Sequence, residues 1–158
     1  MPVKRLKEYL DRHGIEYVTI THSPAYTAQT IAAAAHIPGK DLAKTVMVVL
    51  DDQMAMAVLP SSTMVDLERL REAAEVKKAR LATEAEFKGL FPECEVGAMP
   101  PFGNLWDMPV YVDATLAEDE NIAFSAGSHV ELIKLAYGDF ARLVGPKAIV
   151  MGAMTVGN

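Results

Sequence analysis

Hydrophobic and polar positions follow two rhythms along this chain. Val3, Leu6 and Leu10 recur at helical spacing among Lys4, Arg5, Lys7 and Glu8, and Gly14 follows where a C-cap belongs, so a helix is predicted over 3–13. A short strand over 15–20 ends at His22-Ser23-Pro24. Thr27 suits the N-cap of an alanine-rich helix over 28–36, which stops before Pro38-Gly39. The strongest strand is Leu42–Leu50, LAKTVMVVL; Asp51-Asp52-Gln53 turns it into a second strand over 54–59, a hairpin. Asp66 caps a helix running through Glu75, and 76–81 reads as a short strand. Thr83 and Glu86 form a capping box that opens a short helix to Leu90. Short strands are predicted over 110–112, 122–124 and 129–135, then a helix over 139–144 that Gly145-Pro146 stops.

Strands outnumber helices, and several connections are too short for the crossover that parallel neighbours need. The expected fold class is α/β in the α+β sense: a compact single domain with a curved, mixed, mostly antiparallel sheet surrounded by helices. The domain is placed at 1–146. Residues 147–158 are small and apolar without a period, and are expected to form a loosely held C-terminal tail.

Composition narrows the class. A chain of 158 residues that is 51% hydrophobic can bury one real core. It has no apolar run of about 18 residues, the length a membrane span needs. The N-terminus turns charged and amphipathic at once, without a signal-peptide apolar stretch. The single cysteine, Cys94, has no internal disulfide partner. A cytoplasmic location is expected. A net charge of −6 argues against coating nucleic acid nonspecifically, yet leaves room for a site that grips one end of it.

Several chemistries lack their motifs. There is no G-x-S-x-G, H-E-x-x-H, Walker A or G-x-G-x-x-G sequence. His13, His22, His36 and His129 are scattered, so no metal site is expected. Three features remain. The first is the loop Gly97-Ala98-Met99-Pro100-Pro101-Phe102-Gly103-Asn104, where two prolines fix φ and remove two donors while glycines permit close approach. It reads as a stiff connection, or as a wall of bare carbonyls facing a small ligand. The second is Lys44, near the start of an apolar strand, with Leu42, Val46 and Val48 on its face and Ala43, Thr45 and Met47 opposite. Burying an ammonium without a partner is costly, so Lys44 either snorkels to water or serves a pocket mouth. The third is Ser125-Ala126-Gly127-Ser128-His129, whose small residues suit a tight turn or a backbone cradle for an oxyanion.

In order, His22-Ser23-Pro24-Ala25-Tyr26-Thr27, Leu42-Ala43-Lys44-Thr45, the 97–103 loop and Phe124-Ser125-Ala126-Gly127-Ser128-His129 resemble one family. It is the YbaK/prolyl-tRNA-synthetase editing-domain family of aminoacyl-tRNA deacylases, and the likeness spans about 3–146. The resemblance implies a YbaK-like fold and hydrolysis, in trans, of the ester joining a wrong amino acid to the 3′-terminal adenosine of a tRNA. It implies Lys44 as the hallmark residue, holding the adenosine's phosphate or ribose, with Gly127, Ser128 and His129 lining the acyl pocket as the other catalytic positions. His22, Tyr26, Thr45, Gly97, Pro100, Pro101 and Phe102 are the implied substrate-binding residues. No cofactor, metal or membrane is implied. Aminoacyl-tRNA, through its 3′ acceptor end, is the implied partner, and an aminoacyl-tRNA synthetase a candidate one. Thr45 and Ser128-His129 most resemble the free-standing subgroup that clears alanine from tRNA(Pro), some members of which carry Asn where Thr45 stands. The competing classes are a catalytically silent module that binds tRNA or a synthetase, and a small-ester hydrolase unrelated to tRNA.

Overall fold

The two rhythms resolve into fifteen α-helices and β-strands in the computed structural model, which describes residues 3–25 and 27–154. In chain order these are α1 (Lys4–Arg12), β1 (Tyr17–Thr21), α2 (Ala28–Ala35), β2 (Leu42–Leu50), β3 (Gln53–Pro60), β4 (Thr63–Val65), α3 (Leu67–Ala74) and β5 (Ala79–Leu81). There follow α4 (Glu84–Phe87), β6 (Val110–Asp113), β7 (Asn121–Ser128), β8 (Glu131–Ala136), α5 (Tyr137–Val144), β9 (Lys147–Ile149) and β10 (Gly152–Met154). Local chemistry explains the boundaries. The Asp66 carboxylate accepts from the Glu68 and Arg69 amides at the start of α3. Thr83 and Glu86 close a reciprocal capping box on α4.

One mixed sheet runs in the order β1-β8-β7-β2-β3-β6-β9, with β5 also pairing β2. Its pairs are mostly antiparallel; β2–β7, β3–β6 and β6–β9 are parallel. The strand with the clearest pattern, β2, lies at the centre. Its odd positions Ala43 and Met47 face the main core with Leu6 and Leu10 of α1, Phe102, Phe124 and Phe140. Its even positions divide the other face. Leu42 packs with Ile31 and Ala32 of α2, whereas Val48 and Leu50 pack with Leu70 of α3. Lys44 stands in the interval between those two clusters. Burying each large aliphatic side chain supplies about 1.5–3 kcal/mol, so both faces contribute to holding β2 in place.

The C-terminal segment corrects an expectation. Residues 147–154 are not a loosely held tail. Strand β9 pairs with β6 from Tyr111↔Lys147 to Asp113↔Ile149, and β10 pairs with β4. Three-residue strands are too short to show a period, and their anchor lies far away in sequence. Asp113, 2% exposed, accepts through Oδ1 from the amides of Met151 at 3.0 Å and Gly152 at 2.8 Å. Its Oδ2 accepts from the Thr115 amide and hydroxyl. Asp113→Ala is expected to cost roughly 3 kcal/mol, because several charge-assisted bonds go at once and leave buried amides unpaired. Urea denaturation would read that loss, and limited proteolysis would show new cleavage around 147–154; an unchanged midpoint would mean the segment holds itself.

Smaller differences have local causes. The expected strand over 129–135 begins instead at Glu131, because β7 extends to Ser128 and a bulge lies between Ser125 and Ser128. Among the described residues, no helix is long and apolar enough to cross a membrane.

Candidate active site

A gap beside the central strand creates the site. On one edge, β2 pairs with β7 only through Leu42↔Ala123 and Ala43↔Phe124, and with β5 only from Val48↔Leu81 onward. Between these ladders the edge of β2 is uncovered. A cavity of about 50 Å³ opens there, lined by Ile31, Leu42, Ala43, Lys44, Thr45, Gly97, Met99 and Ser125. It lies beyond the C-terminal end of the pairing between two parallel strands, where open α/β sheets commonly bind ligands.

Lys44 is the one ionisable group of this lining. Its side chain is half-buried, and burial alone pushes the amine below the usual lysine range. Among the described residues it has neither a carboxylate nor a hydrogen-bond partner. An ammonium held in this way is a ready point of attachment for an anion.

The proline loop is positioned differently from a bare wall. Gly97 is its exposed tip, with φ +87°. From Ala98 to Gly103 the chain is buried, Pro100 and Pro101 included. The Val96 carbonyl accepts from His129 Nε2 at 2.9 Å, and the Ala98 carbonyl from the Gly127 amide at 2.9 Å. Gly97 and Met99, and not the two prolines, line the cavity, and their carbonyls accept no hydrogen bond among the described residues. Phe102 is fully buried, with ring centroids 5.5 Å from Phe124 and 5.6 Å from Phe140. It anchors the loop from behind and is absent from the cavity wall.

The glycine turn is likewise a support. Gly127 has φ +103°, and a Cβ there would lie 2.2 Å from Val3 Cγ2, so its missing side chain admits the N-terminal segment. The Val3 amide donates to the Ala126 carbonyl at 2.8 Å. Ser128 Oγ lies 3.5 Å from Glu131 Oε1. His129, 9% exposed, is turned towards Val96 and Glu95, and its ring backs onto Gly97. None of these three lines the cavity, and Ser128 and His129 form no nucleophile–base pair. His22 is 8% exposed, with Nδ1 donating to its neighbour's carbonyl, that of Ser23, at 2.8 Å; it too is outside the lining. Tyr26 lies outside the described residues.

Ser125 was legible only in part. It belongs to the quoted Phe124–His129 run, which looks like a turn, yet it occupies a strand on the same face as Ala123 and Lys44. Ile31 and Met99 carry no signal beyond being apolar. A thiol nucleophile is not supplied: burial first, and then the Glu93 carboxylate, push the Cys94 thiol up to about 11.

A larger cleft, about 410 Å³, sits at the other end of the β2–β7 ladder and is lined in part by Asp41, Asp119, Asn121 and Lys134. Burial and then the Asp41 charge push the Asp119 carboxyl upward. It contains none of the site residues expected from the sequence, and chemistry favours the smaller cavity. Among the described residues no three His, Cys, Asp or Glu are grouped to hold a metal ion.

Several solved structures share the fold. A hypothetical protein, APE2540, matches with a TM-score of 0.85 and 19% identity over 95% of this chain and 100% of its own. A candidate trans-editing enzyme for prolyl tRNA synthetase matches with a TM-score of 0.80 and 20% identity, over 96% of each chain. A candidate signal transduction protein from Marinobacter aquaeolei matches 99% of this chain with only 32% of its own length, at a TM-score of 0.76 and 19% identity. The aminoacyl-tRNA editing domain model matches residues 22–143, a span that holds Lys44, Gly97 and Ser125 together, and the chain belongs to that family.

Proposed function

We propose that this protein is a trans-acting deacylase that hydrolyses the ester between a small, wrongly attached amino acid and the 3′-terminal adenosine of a tRNA, with alanine on tRNA(Pro) as the leading substrate. The observation that carries it is Lys44: a half-buried ammonium, without a partner among the described residues, beside a cavity of about 50 Å³. The charge suits the phosphate or ribose of the terminal adenosine, and the small volume suits a short acyl side chain. A structural relative that bears the name of a candidate trans-editing enzyme for prolyl tRNA synthetase supports the same reading.

The chemistry needs neither a protein nucleophile nor a metal. An aminoacyl ester is activated by its neighbouring ribose hydroxyl, so the site has to fix the ester, support the oxyanion and admit a water. Water adds through its oxygen to the ester carbonyl carbon. Collapse then breaks the bond to the ribose oxygen, which departs with the proton that water gives up. Lys44 holds the adenosine end, and Gly97 and Met99 present carbonyls. His129, Pro100, Pro101, Phe102 and Gly127 position that wall.

The test is deacylation of Ala-, Ser-, Cys- and Thr-charged tRNA(Pro) over a range of salt. Alanine is expected to leave fastest. Rates at subsaturating tRNA should fall as salt rises, as contacts to phosphates require. An apolar pocket rejects an added hydroxyl by only about 10²-fold, so serine should follow alanine within roughly that factor. Equal inertness towards all four would sink the deacylase reading; tRNA binding without turnover would identify a silent module instead.

A further inference from the structure

The β2–β7 ladder stops one rung short, and the open rung faces the cavity. The register Leu42↔Ala123 and Ala43↔Phe124 carries three bonds: the Ala123 amide to the Asp41 carbonyl at 3.0 Å, Ala43 amide to Ala123 carbonyl, and Ser125 amide to Ala43 carbonyl. The next would join the Thr45 amide to the Ser125 carbonyl, and the pairing ends before it. This edge of β2 is next used where the Ala82 amide donates to the Met47 carbonyl at 2.9 Å. Past Ser125, β7 bends through its bulge towards the loop. The Gly127 amide donates to the Ala98 carbonyl, and the Gly127 carbonyl accepts from the Glu95 amide at 2.8 Å. Thr45 and Ser125 are both half-buried and both line the cavity. An unmade rung inside a sheet, rather than at its rim, is uncommon because main-chain groups removed from water are nearly always paired.

We propose that the substrate completes this rung. The inference rests on the deacylase reading and names what the site recognises: the N–Cα–C=O unit of an aminoacyl group, which is a residue's own backbone. Its α-ammonium donates to the Ser125 carbonyl and its ester carbonyl oxygen accepts from the Thr45 amide, so the unit bridges the two main-chain groups that the ladder leaves apart. When water adds, that oxygen gains the negative charge and the Thr45 amide stabilises it; on collapse its electron pair re-forms the C=O bond, and the ribose oxygen leaves with the electron pair of the broken bond and takes up the proton that water gives up. The discriminating role belongs to the main chain of Thr45, whatever its side chain, and a free α-amine is required.

Amide hydrogen exchange followed by NMR on the full chain tests this. In the free protein the Thr45 amide is expected to exchange faster than those of Ala43 and Val49, which are paired on the same strand. Saturation with 3′-alanylamino-3′-deoxyadenosine, in which an amide replaces the ester, should slow Thr45 exchange by about tenfold or more. The N-acetylalanyl version should not protect it. A Thr45 amide already protected in the free protein would overturn the inference. So would one left unprotected by the alanyl compound in a protein that deacylates Ala-tRNA(Pro), and the deacylase reading would then survive alone. Inertness towards every charged tRNA would remove both.

Discussion

Gly127→Ala is expected to destabilise the protein by roughly 2–5 kcal/mol, combining the cost of a left-handed backbone with that of overpacking. The added methyl carbon would begin 2.2 Å from Val3 Cγ2 and 3.3 Å from Val3 Cβ, at φ +103°. Val3 is β-branched, 4% exposed and tied by its amide to Ala126, so it cannot simply rotate away. Relief would require the start of α1 to lift from the turn, uncovering Leu6 and loosening the Gly127–Ala98 bond behind the loop. Deacylation should therefore fall with stability. Val3→Ala alone should cost about 1–3 kcal/mol as a large-to-small change in the core. In Gly127→Ala/Val3→Ala the steric part is relieved and the backbone part remains, so the double variant should be more stable than the sum of the two losses predicts. Urea unfolding of the four proteins measures this; strict additivity would show that Val3 does not occupy the space the glycine leaves.

That contact also shows where a sequence reading stops. A glycine in Ser-Ala-Gly-Ser suggests close approach by something, and a ligand is the natural guess; the partner is a valine more than a hundred positions earlier. The proline pair misleads in the same way. Prolines punctuate surface loops, but here Pro100 and Pro101 run into the core behind Phe102, and the loop reaches solvent at its ends, Gly97 and Asn104. By contrast, period-two alternation in Leu42–Leu50 was fully legible, because both faces of β2 are buried against different clusters. The caps at Asp66 and Thr83 were legible because their partners lie within three residues. Strands β9 and β10 were not, since their shape depends on Asp113 rather than on any local pattern.

The same distinction separates Lys44 from the rest of the site. Its oddity is local, a charge in an apolar strand, and so the sequence exposes it. Thr45 enters with it through the family resemblance, but the pairing of Thr45 with Ser125 emerges only through the register of two strands about eighty residues apart, which no single segment encodes.

Lys44→Met is expected to lower deacylation by about 10²-fold or more, the scale of losing a charge-stabilising donor, and at the same time to raise the thermal midpoint at neutral pH. The amine is half-buried without a carboxylate among the described residues, and burial holds it below its ordinary value of 10.5. The folded state thus binds this proton more weakly than the unfolded chain does. Relative to methionine, which fits the apolar stem, the ammonium costs stability at every pH below the lowered value. That cost fades as pH rises from there to 10.5, so the two melting curves should converge in the same interval. Activity has the opposite dependence. The charged amine is the working form, so kcat/KM, corrected for spontaneous ester hydrolysis, should fall on an alkaline limb centred below 10.5. A bound phosphate returns the counter-charge that the protein withholds, which raises the amine again and moves the limb of kcat to higher pH than that of kcat/KM. A variant less stable than wild type at neutral pH would mean that Lys44 is already paired. A kcat limb that coincides with that of kcat/KM would mean that the substrate does not touch it. An amine kept at a cost to the fold, and repaired only by ligand, is what a binding residue should look like when the ligand is away.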